Sequence, residues 1–268
     1  MIGSYDPISK AQSMQNQKIT PTDQLYSSLE TAFNHFNGRL FKHKLPPVIF
    51  TAQRQLGVMG HFSANRWVSR HGVKCHEISI NLSYVGKASV IELFQTLVHE
   101  QVHQWQYCFG KPGRRGYHNA EWAKKMQAVG LMPTDTGEPG GRKTGEKIGD
   151  YPMPGGRFVT ACSELVTEKQ FQLPWVDRFA EPTHSVEVEE LALYVDALSD
   201  FEDTVLERLT VTMDQVFGEE LFVSPIAAKN KVKSKYHCYE CEYSLWGKSG
   251  LNLACLDCGD TLHEIGEY

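Results

Sequence analysis

Residues 89–122 read SVIELFQTLVHEQVHQWQYCFGKPGRRGYHNAEW, and this stretch decides the fold. Ser89 is followed three residues later by Glu92, which is the pattern of a capping box at the start of a helix. Gly110 and Pro112 then break the pattern. Between these limits apolar residues recur at the spacing of one helical face: Val90, Ile91, Phe94, Leu97, Val98, Val102 and Trp105. The stretch therefore predicts a long helix with one face in the core, followed by a turn.

Within this helix His99, Glu100 and His103 form the pattern HExxH. Residues four apart lie on the same helical face, so both imidazoles can reach one ion while Glu100 reaches a water beside it. The pattern indicates a zinc-dependent peptidase in which the two histidines bind the metal and the glutamate is the general base. The alternative is a pair of buried histidines that satisfy each other or the backbone, beside an ordinary surface carboxylate.

A catalytic zinc site needs a third protein ligand, and two residues downstream are candidates for it. His118 follows the Gly/Pro/Arg-rich turn and begins a second amphipathic run, which stops at Gly130. A side chain at the start of that run can be aimed back at the first helix. We therefore favour His118 as the third ligand and keep Glu121 as the alternative.

These residues carry a resemblance to a known family. The pattern His99-Glu100-x-x-His103, followed by His118-x-x-Glu121-Trp122, resembles the SprT-like domain of bacterial SprT proteins and eukaryotic Spartan proteases. Two further segments, 60–67 and 78–81, are similar to other motifs of that family. The resemblance covers about residues 22–160, and Asn119 departs from it, because many members have glycine there. It implies a small zinc metallopeptidase fold and, for Spartan, a protease that degrades proteins crosslinked to DNA.

Composition limits the class of protein. The 268 residues carry a net charge of −5, with 41% hydrophobic and 22% charged residues, as in soluble globular proteins. The charge gives no whole-chain argument for nucleic-acid binding. No apolar run is long enough to span a bilayer, and residues 1–18 lack the apolar core of a signal peptide. We expect a cytoplasmic protein without a membrane partner, with the nucleoid as a candidate location. Its seven cysteines are then zinc ligands and free thiols.

The segments before the metal helix predict an α+β fold. Thr20 and Pro21 begin a helix of about five turns. Alternating apolar residues then predict three short strands, at 48–50, 60–68 and 77–82. We expect helices packed on a short three-stranded sheet in a small, zincin-like metallopeptidase domain. A strand edge beside the metal helix could hold an extended peptide. Arg66 and Trp67 either belong to that groove or are an exposed charge and a packed aromatic ring.

Two later stretches have biased compositions. Residues 131–160 are rich in glycine and proline with interleaved basic residues, which is typical of a disordered or a functional loop. Such a loop could form a rim over the cleft, where Tyr151 could contact an oxyanion. Residues 181–220 include twelve acidic residues and only one basic residue, Arg208. The spacing favours an amphipathic helix with a solvated acidic face, and the alternative is an insert that covers a basic cleft or contacts a partner.

The last unit contains Cys238-x-x-Cys241 and Cys255-x-x-Cys258, separated by thirteen residues. This is the pattern of a four-thiolate zinc ribbon. The unit is too small to build a core alone, so the metal is expected to supply its folding energy. Three of its aromatic residues could stack on nucleic-acid bases: Tyr239, Tyr243 and Trp246. We expect two zinc ions per chain, one catalytic and one structural.

Four segments are predicted from these observations. They are a flexible N-terminus (1–19), a SprT-like metallopeptidase domain (20–160), an acidic and partly helical insert or linker (161–228), and a four-cysteine zinc ribbon (229–268).

The predicted function is zinc-dependent hydrolysis of proteins or peptides. His99, His103 and His118 hold Zn²⁺, while Glu100 removes a proton from water and passes it to the leaving amine. Through the resemblance, the expected substrates are proteins associated with or crosslinked to DNA, in DNA repair, with single-stranded or crosslinked DNA as a candidate partner. A different class stays open, a non-hydrolytic zinc-binding adaptor that contacts nucleic acid or the transcription machinery. Glu100 favours the enzyme, because an adaptor has no need for that carboxylate.

Overall fold

The computed structural model describes residues 19–55, 57–180, 197–223 and 233–267. The chain divides into two compact units between Val223 and Ser224. The first unit mixes helices with two small sheets, and the second consists of short strands around a cluster of cysteines. The predicted α+β class with a C-terminal zinc ribbon is confirmed.

Groups of strands and groups of helices follow one another along the first unit. Its described helices are α1 (Pro21–Phe41), α2 (Leu82–Val85), α3 (Val90–Phe109), α4 (Ala120–Val129), α5 (Arg157–Thr167), α6 (Asp203–Thr210) and α7 (Met213–Phe217). Its described strands are β1 (Val48–Gln53), β2 (Gly60–Val68), β3 (Lys74–Asn81), β4 (Leu131–Thr134) and β5 (Gly149–Pro152). Capping boxes begin α1 at Thr20 and α3 at Ser89, as their sequences predict.

The larger sheet places one strand at an edge beside the metal helix. Its strand order is β1-β3-β2, with β1 parallel and β2 antiparallel to the central β3. Ile78 and Ile80 of β3 are buried in the same core as Phe94 and Leu97 of α3. Since α3 also packs on β2, the edge strand and the HExxH segment lie side by side.

Residues 131–160 contain regular structure that their composition did not predict. β4 and β5 pair antiparallel over four residues, from Leu131 opposite Pro152 to Thr134 opposite Gly149. α5 then begins at Arg157. Strands this short give too few alternating positions for a pattern, and glycine and proline hide them further. The stretch is therefore a hairpin that leads into a helix; residues 136–141 lie in the hairpin loop, and Gly155 and Gly156 lie between β5 and the helix.

The acidic segment contributes to the core. α6 buries Val205 and Leu209, as the amphipathic spacing predicts, and leaves Asp203 and Glu207 exposed. Three more residues from this part of the chain join the same core: Ala197, Leu198 and Met213. Residues 181–196, on which part of the prediction falls, lie outside the described ranges. The boundary predicted at residue 160 stays a prediction, and in the structure α5 crosses it and packs on α1.

The second unit is a four-stranded sheet in the order β7-β6-β9-β8. Its strands are β6 (Lys233–His237), β7 (Ser244–Lys248), β8 (Leu253–Ala254) and β9 (Thr261–Glu267). The ring of Tyr236 is buried at its centre, and the hydroxyl accepts a hydrogen bond from the Leu251 N–H at 2.8 Å. In the described parts of both units, no helix combines the length and the apolar character required to cross a membrane.

Because α6 buries Val205 and Leu209, the acidic segment contributes to the stability of the folded protein. We expect Leu209→Ala to lower the free energy of unfolding by about 2–5 kcal/mol, because it leaves a cavity in the core. The exposed Glu207→Ala, on the same helix, should change it by less than about 0.5 kcal/mol. Denaturant unfolding of the two variants checks this, and equal stabilities would contradict a core role for the segment.

Candidate metal centre

Three imidazoles converge at the middle of α3 and the start of α4. His99 and His103 lie one turn apart on α3, and their Nε2 atoms are 3.2 Å apart. His118 approaches from the residues just before α4, so that the donor nitrogens of all three lie within 4.8 Å of one another. The structure therefore brings together the three histidines that the sequence predicted as ligands.

A single buried aromatic ring supports the cluster. Trp122 lies one turn after His118 on α4 and has no solvent exposure. Its ring centroid is 5.0 Å from that of His99, 5.3 Å from His103 and 4.3 Å from His118. A rigid ring in contact with all three imidazoles limits the space in which each can rotate.

Glu121, the alternative third ligand, is engaged elsewhere. Its Oε2 accepts hydrogen bonds from the Lys111 backbone N–H at 2.6 Å and from Gln106 Nε2 at 2.9 Å. These two bonds hold the pKa of Glu121 below its usual range. The carboxylate thus ties the turn after α3 to α4, and it is His118 that joins the HExxH pair.

Asn119, the departure from the family pattern, is the N-cap of α4. Its Oδ1 accepts from the Trp122 backbone N–H at 3.0 Å and from Gln106 Nε2 at 2.7 Å. Its Nδ2 donates to the Lys111 carbonyl at 3.0 Å. Asparagine is a favoured N-cap, so it fixes the start of α4 directly after His118. The departure is therefore compatible with the position of the third ligand.

The hairpin β4–β5 supplies partners that the sequence analysis missed. Asp150 Oδ2 lies 2.8 Å from His99 Nδ1, and the Gly145 carbonyl lies 3.2 Å from His118 Nδ1. Asp150 is 51 residues from its partner, and no spacing rule connects them. The only available signal was the general tendency of metal-bound histidines to donate to a carboxylate or a carbonyl. The neighbouring Tyr151, which the sequence analysis singled out, pairs with Met132 in the hairpin.

Glu100 is buried beside the cluster, with only 6% of its surface exposed. The backbone N–H of Phe62 on β2 donates a hydrogen bond to its carboxylate. Burial raises the pKa of Glu100, and the charge of His99 offsets part of that rise. Gly60 makes this approach of α3 to β2 possible, because a Cβ there would lie 2.9 Å from Thr96 Cγ2 and 3.0 Å from the Ser79 carbonyl oxygen.

The directions in which the histidine pKa values are shifted are compatible with metal binding. Burial, with the charges of neighbouring imidazoles, holds the pKa of His103 well below its usual range and lowers that of His118 to about 4. Burial also acts to lower the pKa of His99, but the hydrogen bond to Asp150 and the charge of Glu100 raise it overall. His103 and His118 are therefore neutral at pH 7, which is the form that binds a metal ion.

The donor set fits a zinc ion. Three neutral imidazoles are a common catalytic zinc set, which leaves a fourth position open. Two buried polar atoms beside the cluster, Trp122 Nε1 and Asp150 Oδ1, have no hydrogen-bond partner in the described ranges of the chain. Unpartnered buried polar atoms are costly in a purely structural core, and they are typical of a functional site.

The four cysteines of the second unit form a separate candidate site. Their sulfur atoms lie within 4.8 Å of one another, with Cys238 and Cys255 buried and Cys241 and Cys258 exposed. The Tyr243 hydroxyl donates to Cys255 Sγ at 3.1 Å, and this bond lowers the pKa of that thiol to about 6. A stabilised thiolate within a set of four neighbouring sulfurs is consistent with zinc.

Trp67, a groove candidate in the sequence, is anchored on the sheet. Its Nε1 donates to Glu77 Oε2 at 2.8 Å, and Glu77 Oε1 lies 3.4 Å from His61 Nε2. The register of β2 shifts between Ser63 and Trp67, where Asn65 has a positive φ of 50°. The hydrogen bond anchors the ring at a bulge, but Trp67 is still 41% exposed, and Arg66 beside it is exposed as well.

The fold is of the metallopeptidase type, and the three clustered histidines are a candidate metal site. The chain belongs to the SprT-like family, whose profile matches residues 29–139. It is also 40% identical over 50 residues to an uncharacterized protein in the mucB 3′ region of Salmonella typhimurium, a match that covers 19% of this chain and 68% of that protein. No solved structure matches the chain. The predicted family is confirmed.

The choice between His118 and Glu121 can be tested by metal content. We expect His118→Ala to reduce bound zinc from about two ions per chain to about one, because two histidines do not close a catalytic site. Glu121→Gln should keep both ions, since its carboxylate contacts backbone and amide groups. Elemental analysis after gel filtration measures this. Loss of zinc in Glu121→Gln, with zinc retained in His118→Ala, would reverse the assignment.

The ribbon should depend on its ion for folding. We expect Cys238→Ser to remove one zinc per chain and to unfold residues 233–267, because that unit has a very small apolar core of its own. Cys75→Ser, at a cysteine outside the cluster, serves as the control and should leave the ribbon folded. Amide chemical-shift dispersion in an NMR spectrum reports the result, and a folded ribbon in Cys238→Ser would contradict a structural role for the metal.

Proposed function

We propose that the protein is a zinc-dependent peptidase that hydrolyses proteins associated with or crosslinked to DNA. The observation that carries the hydrolytic part is the buried carboxylate of Glu100, next to three convergent imidazoles. A general base must lie within reach of the proton that it removes and needs a pKa closer to the working pH than an exposed carboxylate has. The position and the raised pKa of Glu100 meet both requirements.

The chain's residues divide the chemical work between them. His99, His103 and His118 would hold the ion, which when bound polarises a carbonyl and lowers the pKa of water toward about 7. Glu100 takes the proton of the attacking water and delivers it to the leaving amine. The hydrogen bond from the Phe62 N–H holds this carboxylate beside β2.

The edge of β2 suits an extended peptide. β2 is the outer strand of the order β1-β3-β2, so among the described strands its far edge has no neighbour. A substrate that pairs with this edge runs directly past Glu100, because Phe62 of β2 contacts that side chain. Main-chain pairing of this kind binds peptides with little dependence on sequence. The register shift that begins after Ser63 would limit the length of the paired segment.

The DNA-associated substrate is supported by family membership and by the ribbon. Tyr239 and Trp246 are 60% and 53% exposed there, and rings that are this accessible can stack on unpaired bases. The same exposed rings favour a second candidate function, a non-hydrolytic adaptor that contacts nucleic acid or the transcription machinery. A cytoplasmic location fits both candidates, because the ribbon needs reduced cysteines. The buried Glu100 supports the peptidase.

The role of Glu100 can be tested at constant metal content. We expect Glu100→Gln to keep zinc and the fold while hydrolysis of a DNA-bound protein falls by about 10²–10⁴-fold, because an amide cannot accept the proton. Glu138→Gln, on an exposed loop, makes the same chemical change away from the site. Gel-based cleavage with and without single-stranded DNA measures the rates.

The outcomes separate the two candidates. Cleavage that single-stranded DNA stimulates, and that Glu100→Gln abolishes, would support the peptidase on DNA-associated proteins. Native cleavage rates in Glu100→Gln would contradict the assigned base. DNA binding without any cleavage, with zinc at both sites, would favour the adaptor.

A further inference from the structure

The carboxylate of Asp150 contacts one of the three histidines, His99, and does not belong to the set of candidate metal ligands. We propose that Asp150 is a positioning residue, which fixes the orientation and tautomer of His99 and thereby sets the metal affinity of the three-histidine cluster. The proposal rests on the metal centre of the proposed function, and it adds a residue that the HExxH pattern does not contain.

The hydrogen bond determines which nitrogen of His99 is free. An ionised carboxylate accepts only, so the contact of 2.8 Å between Asp150 Oδ2 and His99 Nδ1 places the proton on Nδ1. In the neutral ring, which is the form that can bind a metal ion, the lone pair then lies on Nε2, the atom that is 3.2 Å from His103 Nε2. His118 is oriented in the same way, because its Nδ1 donates to the Gly145 carbonyl. One hairpin therefore orients two of the three imidazoles.

Asp150 is itself held in place from two directions. β5 pairs it with Pro133 of β4, and its backbone carbonyl accepts a hydrogen bond from the side chain of Gln95. Gln95 lies on α3 one turn before His99, so the helix that carries the ligand also holds the segment that orients it. The side chain of Asp150 is only 4% exposed, which excludes competing water from its bond to His99.

The second oxygen of Asp150 argues against a purely structural role. Oδ1 is buried and has no hydrogen-bond partner within the part of the chain that the structure describes. Burying a carboxylate with one oxygen unpartnered costs stability, and an apolar residue of similar size would avoid that cost. A divalent ion held by the three histidines would supply positive charge that compensates for this cost, and a carboxylate paired with an imidazole makes that imidazole a stronger ligand. The arrangement is therefore expected to favour metal binding more than folding.

The test measures metal affinity and folding separately in the full chain. Native protein, Asp150→Asn and Asp150→Leu are stripped of metal and titrated with Zn²⁺ against a competing chelator, with the cysteine site as an internal reference. Melting of the metal-free proteins reports folding. Glu146→Gln is the matched control, since Glu146 lies on the same hairpin and its side chain is 62% exposed.

We expect the histidine site to bind zinc about 10- to 100-fold more weakly in Asp150→Leu, with a smaller loss in Asp150→Asn, which keeps an acceptor oxygen. The metal-free melting temperature of Asp150→Leu should stay equal or rise, and Glu146→Gln should match the native protein in both measurements. Native zinc affinity in Asp150→Leu would overturn the proposal, whether or not its melting temperature falls. These readouts do not depend on peptide hydrolysis, so failure of the proposed peptidase leaves them intact. Failure of the metal centre would show instead as one zinc per native chain.

Discussion

The position of α3 against the edge strand β2 is the constraint on which the rest of the site depends. His99 and His103 can share an ion only because they lie one turn apart on one face, and Glu100 between them then points toward β2. Gly60 permits the close approach, since any side chain there would meet α3 and the Ser79 carbonyl. The other segments that carry a candidate ligand or its hydrogen-bond partner are placed relative to α3 and β2.

Burial of so many polar groups is costly, and the structure shows how that cost is limited. Gln106, Asn119 and Glu121 satisfy one another and the turn between α3 and α4, so this polar layer is internally bonded. The imidazoles of His103 and His118 stay neutral, which avoids a buried positive charge at two of three positions. Five buried side-chain atoms have no hydrogen-bond partner among the described residues, and two of them, Trp122 Nε1 and Asp150 Oδ1, lie beside the histidines.

Local features of this chain could be predicted from sequence, whereas contacts between distant segments could not. The capping box of α3, the strand β2 and the two cysteine pairs are short patterns with direct physical causes, and the structure contains each of them. Asp150 and Gly145 reach their histidines by way of a hairpin whose strands are too short to give a pattern. The amphipathic spacing of the acidic segment predicts the helix that buries Val205 and Leu209, but spacing alone does not show that these side chains join the core of the first unit.

The most direct test of this account is anomalous X-ray scattering at the zinc edge from crystals of the zinc-loaded protein. The account predicts two peaks per chain. One should lie among the four sulfurs, and the other should lie about 2.0–2.1 Å from the Nε2 atoms of His99, His103 and His118, with Asp150 still on His99 Nδ1. A peak bonded to Glu121, or no peak at the histidines while the cysteine site is filled, would contradict it.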